Sequence, residues 1–127
     1  MVQLLREVTV PMAELWFAAS GLLMIVFGVP LILRRVPPNA FYGLRVPATF
    51  KDEQVWYDAN AASGRDLVVF GIALIVSAGA MSALGWTAES HRLAWAMVAA
   101  LGAILLTLLG WSRANRLLRE RQEKRGA

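Results

Sequence analysis

The sequence predicts an all-α membrane protein with three transmembrane helices plus a short cytoplasmic interfacial helix. Hydrophobic residues make up 57% of the 127 residues and charged residues only 17%, whereas a soluble domain usually carries about 25% charge. The apolar residues are concentrated in three long runs that contain no charged side chain. A chain of this length holds one domain, so we expect a single membrane domain over residues 1–127.

Each apolar run is long enough to cross a bilayer. The three runs contain 19, 22 and 20 residues, and a helix needs about 20 apolar residues to span a hydrocarbon core. A backbone in lipid must satisfy its own hydrogen bonds, which favours a helix for each run. We predict spans at about residues 12–33, 67–86 and 93–112, a cytoplasmic motif loop at 34–66 and a basic cytoplasmic tail at 113–127.

The basic residues predict the orientation of the chain. Three crossings place the first loop and the tail on one side, and these segments hold 11 of the 13 Lys and Arg residues. The other side has only Arg6 and Arg92. Because basic flanks stay cytoplasmic, we expect the N-terminus outside and the C-terminus in the cytoplasm. The arginines are then expected to contact membrane lipids rather than nucleic acid.

The spans differ in their packing signals. The second span contains small residues four apart, at Ala73 and Ser77, and at Gly79 and Ala83. Such spacing lets helix backbones approach closely, which predicts that this helix packs centrally. The same spacing leaves a homo-oligomer open.

The first loop has the pattern of a bend followed by a helix. Gly43 supplies the backbone freedom of a tight bend. Thr49 can cap a helix, with Asp52 at its third position completing the capping signal. Gly64 can end that helix. The pattern therefore predicts a short interfacial helix over residues 50–63.

Two interpretations of this loop stay open from the residues alone. In the first, the helix is only an amphipathic surface element, anchored at head-group depth by Phe50, Trp56 and Tyr57. In the second, the loop folds into a polar pocket in which Arg45 binds an anionic group or pairs with an acid such as Asp58. The candidate ligand- or partner-binding residues of that pocket are Asn39, Tyr42, Arg45, Trp56 and Asn60.

The order of residues in the loop resembles the signature of the SdpI-type toxin-immunity family, from residue 36 to about residue 85. Members are small bacterial integral membrane proteins. The founding type protects its producer against a secreted peptide toxin and helps to signal the toxin by holding a repressor at the membrane. The resemblance implies a bacterial inner-membrane protein with an immunity-type role and no catalytic chemistry. It is carried by Pro38-Asn39, Tyr42-Gly43-x-Arg45-x-Pro47-x-Thr49, Glu53, Trp56, Asn60 and Gly64.

Three classes of function therefore compete. The first is a non-enzymatic immunity or sensor protein that binds a membrane-active peptide toxin or a cytoplasmic regulator. The second is an accessory subunit of a larger membrane complex, and the third is a transporter assembled from several copies. An enzyme is not expected, because the sequence has no nucleophile set, phosphate-binding loop or zinc spacing. The chain has no cysteine and a lone histidine, His91, so we expect neither a metal nor another cofactor.

Overall fold

The described part of the computed structural model contains four α-helices. They are α1 (Val2–Ile32), α2 (Pro47–Lys51), α3 (Glu53–Ala83) and α4 (Ala88–Gly126). Three stretches are long and apolar enough to cross a membrane: Glu14–Ile32, Glu53–Ala83 and Leu93–Gly126. The predicted all-α fold with three membrane-length helices is therefore confirmed.

The structure describes the backbone of residues 1–84 and 88–127, and the side chains of residues 1, 12, 14–84 and 93–127. Arg6, His91 and Arg92 lie outside the described side chains. The predicted end of the second span, at residue 86, also lies outside the described residues.

Helices α1 and α3 form the tightest pair in the molecule. Gly21 faces Gly71, and Gly28 faces Gly64, each against the backbone of the other helix. Because the residue numbers rise on one helix as they fall on the other, the two helices run antiparallel. Small residues at both crossings allow this close approach.

Helix α1 ends in a backbone turn that needs no glycine here. The N–H of Arg34 donates to Leu31 O at 3.1 Å, and the N–H of Arg35 donates to Pro30 O at 3.1 Å. Arg34 adopts the left-handed conformation, with φ at 56°. This pattern of a left-handed residue after the last turn satisfies the final carbonyls of the helix and turns the chain into the loop.

The segment from residue 34 to residue 52, which we call the loop cap, lies at one end of the three long helices. It includes α2, and Val46 and Ala48 of the cap pack against Ala59 of α3 and Ala114 of α4. Ala114 is fully buried. The residues of the predicted tail continue the third long helix, since α4 is one helix to Gly126.

The prediction of a separate helix over residues 50–63 is wrong. Asp52 has extended backbone angles and separates α2 from α3, and α3 then continues through Gly64 to Ala83. Thr49 is an internal residue of α2 and does not cap the second helix. Gly64 does not end a helix because its role is to let α1 approach α3. A short helix does precede the second span, but it covers Pro47–Lys51.

Candidate functional site

The loop cap begins with a turn organised by Asn39. Its side-chain oxygen accepts hydrogen bonds from the backbone N–H of Phe41, at 2.8 Å, and of Tyr42, at 2.7 Å. Its amide nitrogen donates to Pro37 O at 2.8 Å and to Tyr42 O at 3.2 Å. Asparagine side chains commonly bond to nearby backbone in this way and so mimic a turn. Asn39 therefore holds the shape of the bend with both ends of its amide.

Tyr42 connects the loop cap to α1. Its hydroxyl donates to the carbonyl oxygen of Phe27, and its ring lies edge-on to the Phe27 ring, with centroids 5.7 Å apart. Burial raises the pKa of the Tyr42 phenol above its ordinary value, so the hydroxyl stays protonated as a donor at neutral pH. The hydroxyl bond to the Phe27 carbonyl and the contact between the two rings together hold the loop cap on α1.

Asn60 connects the loop cap to α3 from a buried position. Its side-chain oxygen accepts a hydrogen bond from the backbone N–H of Leu44 at 2.5 Å, and its amide nitrogen donates to Trp56 O at 2.9 Å. Gly43 lies directly against that oxygen and has φ at +105°. A side chain at residue 43 would collide with Asn60 and would also strain the backbone. Glycine at residue 43 and asparagine at residue 60 are thus required together.

Trp56 is a core residue and does not anchor the helix at the membrane surface. Its side chain is fully buried, and its indole N–H donates to Val36 O at 2.9 Å. The Phe50 ring lies 5.4 Å from the Trp56 ring, centroid to centroid. A buried tryptophan with a satisfied N–H contributes a large apolar contact area, and here it fixes the start of the loop cap on α3.

Arg45 is exposed and donates to the backbone carbonyl of Ala40 within the loop cap. The predicted partner of Arg45, Asp58, is paired instead with Arg34 at 2.6 Å. The left-handed turn at Arg34 places its side chain along α3, which explains why this arginine takes the carboxylate.

The five predicted site residues therefore lie in one folded unit, but they do not converge on a shared pocket. Asn39 bonds to the backbone of Tyr42, and Asn60 bonds to the carbonyl of Trp56. All five direct polar atoms to backbone groups of the loop cap or of a neighbouring helix. Their direct contact with a ligand remains a prediction.

Asp52 was expected inside a helix and is instead the N-cap of α3. One carboxylate oxygen accepts from the N–H of Gln54 at 2.9 Å and of Val55 at 3.2 Å. The other lies 3.3 Å from Arg121 Nε and 3.1 Å from an Arg125 nitrogen. Burial alone would raise the pKa of Asp52, but these N–H groups and guanidinium charges outweigh it and hold the pKa below its ordinary value.

A second ion pair joins α3 to α4. Arg113 donates to Asp66 at 2.8 Å, and both side chains are partly exposed. Asp66 lies at the edge of an apolar cavity of about 360 Å³ that is bounded by α1, α3, α4 and the loop cap. The apolar side chains that line it include Met24, Phe27, Leu31, Leu67 and Leu106.

Among the described side chains, no group of three His, Asp or Glu residues is placed to hold a metal ion. Near the loop cap, Asp58, Asp66 and Asp52 each pair with an arginine. The arrangement suits binding and mechanical coupling between helices.

Sequence reasoning missed Asp66, Arg113, Arg121 and Arg125. The signal for the last two was available, because they are four residues apart on a predicted helix and so share one face. What the sequence could not supply was their partner, since Asp52 lies 69 residues before Arg121 in the chain.

Comparison with known proteins gives one match. A family model described as SdpI, the SdpI/YfhL protein family, matches residues 35–112. The matched range is more than half of the chain and contains nearly all of the loop cap, all of α3 and α4 as far as residue 112. Arg121 and Arg125 lie beyond it. No curated protein matches the chain, and no solved structure matches it.

Proposed function

The chain belongs to the SdpI/YfhL protein family, and from that premise we propose that it is a non-enzymatic immunity or sensor protein of the bacterial inner membrane. Its ligand in this proposal is a membrane-active peptide toxin. The resemblance first seen in the loop motif is confirmed by the family match. The immunity role is the step that we add.

The observation that carries the proposal is that the loop cap is attached to all three long helices. Tyr42 bonds to α1, Leu44 is held by Asn60 of α3, and Val46 packs against Ala114 of α4. A peptide that wedges between the spans displaces one helix relative to another, and such a displacement must strain these contacts. Packed contacts of this kind shift between discrete arrangements rather than deform continuously.

The two parts of the role follow from this coupling. Sequestering the peptide against the spans prevents it from permeabilising the membrane, which is immunity. The strained loop cap presents a changed surface on its own side of the membrane, which is sensing. The excess of basic residues on the loop cap and on the end of α4 supports a cytoplasmic position for both, with the N-terminus outside.

The test of immunity measures membrane potential in toxin-sensitive bacteria that express the chain. A potential-sensitive dye follows depolarisation after addition of a secreted membrane-active peptide. Cells with the wild-type chain should keep their potential, whereas Tyr42→Phe should protect less because it removes the hydroxyl that binds α1. Tyr57→Phe is the matched control, because it removes the same group from α3 outside this contact. No protection by the wild type, or equal protection by both variants, contradicts the proposal.

The orientation is tested separately. The chain has no cysteine, so a single cysteine can be placed at Gly126 or at Met12. A membrane-impermeant maleimide added to intact spheroplasts should label the cysteine at residue 12 and not the one at residue 126. The opposite labelling pattern would show that the orientation is the reverse of the proposed one, and it would leave the immunity proposal unchanged.

The other roles make different predictions. An accessory subunit should be recovered with a stoichiometric partner in mild detergent, and an oligomeric transporter should give flux in liposomes. Either result, without protection against a peptide, replaces the immunity role.

A further inference from the structure

The cavity beneath the loop cap is bounded by all three long helices. Its volume is about 360 Å³, and it is partly open to the surface. Met24 and Phe27 of α1, Leu67 of α3 and Leu106 of α4 give it a predominantly apolar lining. Pockets for small organic ligands begin at about 300 Å³, so this one has the size of a binding site rather than of a packing defect.

Water is a poor occupant of this cavity. A buried water needs about two to four polar partners, and the wall between Met24, Phe27 and Leu106 offers hydrocarbon. Those residues belong to stretches that are long and apolar enough to cross a membrane, so the surroundings of the cavity are lipid chains. A hydrocarbon chain fills such a space without losing any hydrogen bond.

One end of the cavity is polar. Asp66 lies at its edge and holds Arg113 at 2.8 Å, while the neighbouring Arg65 is exposed. Ser63 also lines the cavity, and within the described part of the chain its hydroxyl is buried and has no hydrogen-bond partner. The cavity lining thus includes an unpartnered hydroxyl and a carboxylate that is paired with Arg113, together with a larger apolar surface.

We propose that the cavity binds one phospholipid of the leaflet on the loop-cap side, with an acyl chain against Leu106 and an anionic head group near Arg65 and Arg113. The ester carbonyl of such a lipid is the acceptor that Ser63 lacks. Guanidinium groups bind phosphate oxygens with strong charge-assisted hydrogen bonds. This proposal does not depend on the immunity role.

The test uses the full-length protein, purified in mild detergent and washed extensively before native mass spectrometry. The wild type should retain one phospholipid. Leu106→Trp should fill the cavity and reduce the retained fraction about tenfold, equivalent to roughly 1.4 kcal/mol of binding free energy. Leu105→Trp is the matched control, because the adjacent Leu105 is 56% exposed on the lipid-facing side of α4 and does not line the cavity.

A second pair of variants tests the head-group end. Arg113→Gln should lower the preference for phosphatidylglycerol over phosphatidylcholine in a competition of the two, whereas Arg116→Gln, on the exposed face of α4, should leave it unchanged. If Leu106→Trp does not fold, as judged by circular dichroism and gel filtration, Ala103→Phe against Ala100→Phe replaces it. Equal retention by the cavity and control variants overturns the proposal, as does the absence of any retained lipid or the retention of a peptide in its place.

Discussion

Gly28 and Gly64 each lie against the backbone carbonyl of the other. A Cβ on Gly28 would approach Gly64 O to 2.7 Å, and a Cβ on Gly64 would approach Gly28 O to 2.6 Å. Gly21 and Gly71, each seven residues away on its own helix, repeat the arrangement. A Cβ on either of them would lie 2.5 Å from the carbonyl oxygen of the other. Contacts this short exclude any side chain, so two glycine pairs set the distance between α1 and α3.

We predict that a methyl group at either crossing separates the two helices. Gly64→Ala should lower the free energy of unfolding by about 1–3 kcal/mol, the usual cost of overpacking. Thermal unfolding in detergent micelles measures the change. Gly79→Ala is the matched control on the same helix, because a Cβ there meets nothing within 4 Å. An equal loss of stability in Gly79→Ala and Gly64→Ala would contradict the inference that the glycine pairs set the distance between α1 and α3.

We also predict that Asn60 holds the loop cap on α3. Asn60→Leu keeps the size of the side chain but leaves the backbone N–H of Leu44 without its acceptor, and an orphaned buried group costs about 1–3 kcal/mol. The loop cap should then be cleaved faster in limited proteolysis. Asn115→Leu, on α4, is the control. Unchanged cleavage in Asn60→Leu would show that the loop cap is held by its apolar contacts alone.

The fold was predictable from the sequence because a membrane span is a local property. About 20 uncharged residues are enough to identify each span, and the continuation of α4 into the tail follows from its helical composition. The break at Asp52 and the passage of α3 through Gly64 were not predicted. A glycine is suited both to ending a helix and to close packing, and only the partner helix decides between these roles. The seven-residue spacing of Gly21 and Gly28, repeated in Gly64 and Gly71, was the overlooked signal.

The candidate site residues stay a prediction as a binding site, and the structure gives their geometry. Asn39, Tyr42, Trp56 and Asn60 do belong to one folded unit, as their residue types suggested. One of the two interpretations of the sequence directed their polar atoms to a ligand, whereas in the structure these atoms bond to backbone groups of the loop cap, α1 and α3. The reason is physical: a loop packed against three helices has many buried N–H and C=O groups, and each needs a partner. Those partners depend on the tertiary arrangement.

The attachment of the α4 end to Asp52 should depend on pH only in strong acid. The pKa of Asp52 lies below its ordinary value, so its stabilising contribution is complete above the unfolded-state pKa of about 3.9. It is lost as the pH falls through the lower folded-state pKa. Amide hydrogen exchange at residues 121–126 should therefore show the same protection at neutral and mildly acidic pH, after correction for the intrinsic exchange rate, and lose it below about pH 4. Loss of protection near pH 6 would assign the attachment to another group.

The Asp66–Arg113 pair should be worth more than an exposed ion pair. Both side chains are less than a third exposed, at 27% and 29%, and removing one leaves the other charge poorly solvated. A double-mutant cycle with alanine should give a coupling energy of roughly 0.5–3 kcal/mol. The pair of Arg116 and Glu120 is the control, since it is 4.0 Å apart and more than half exposed, and its coupling should be below about 0.5 kcal/mol. Equal coupling energies in the two pairs would show that the Asp66–Arg113 pair holds α3 to α4 no more strongly than an exposed ion pair does.

One carboxylate oxygen of Asp52 caps α3, and the other attracts Arg121 and Arg125 of α4. Substitutions at Asp52 can separate these two roles. Asp52→Asn keeps an acceptor for the N–H groups of α3 but loses the charge that attracts Arg121 and Arg125. Asp52→Ala loses both, so it should free the end of α4 and also fray the start of α3. Cross-linking between cysteines at Lys51 and Lys124, in a chain that has no other cysteine, reports the attachment of α4. Amide exchange at residues 54–57 reports the cap.

The order of effects makes this prediction specific. Asp52→Asn should lower the cross-linking yield without raising exchange in the first turn of α3, whereas Asp52→Ala should do both. In an Arg121→Gln/Arg125→Gln background, Asp52→Asn should have no further effect on cross-linking, because its partners are already gone. Arg119→Gln, exposed on the same helix, should leave both measurements unchanged. If Asp52→Asn still lowers the yield in the double-glutamine background, Asp52 holds α4 through a contact other than these two arginines.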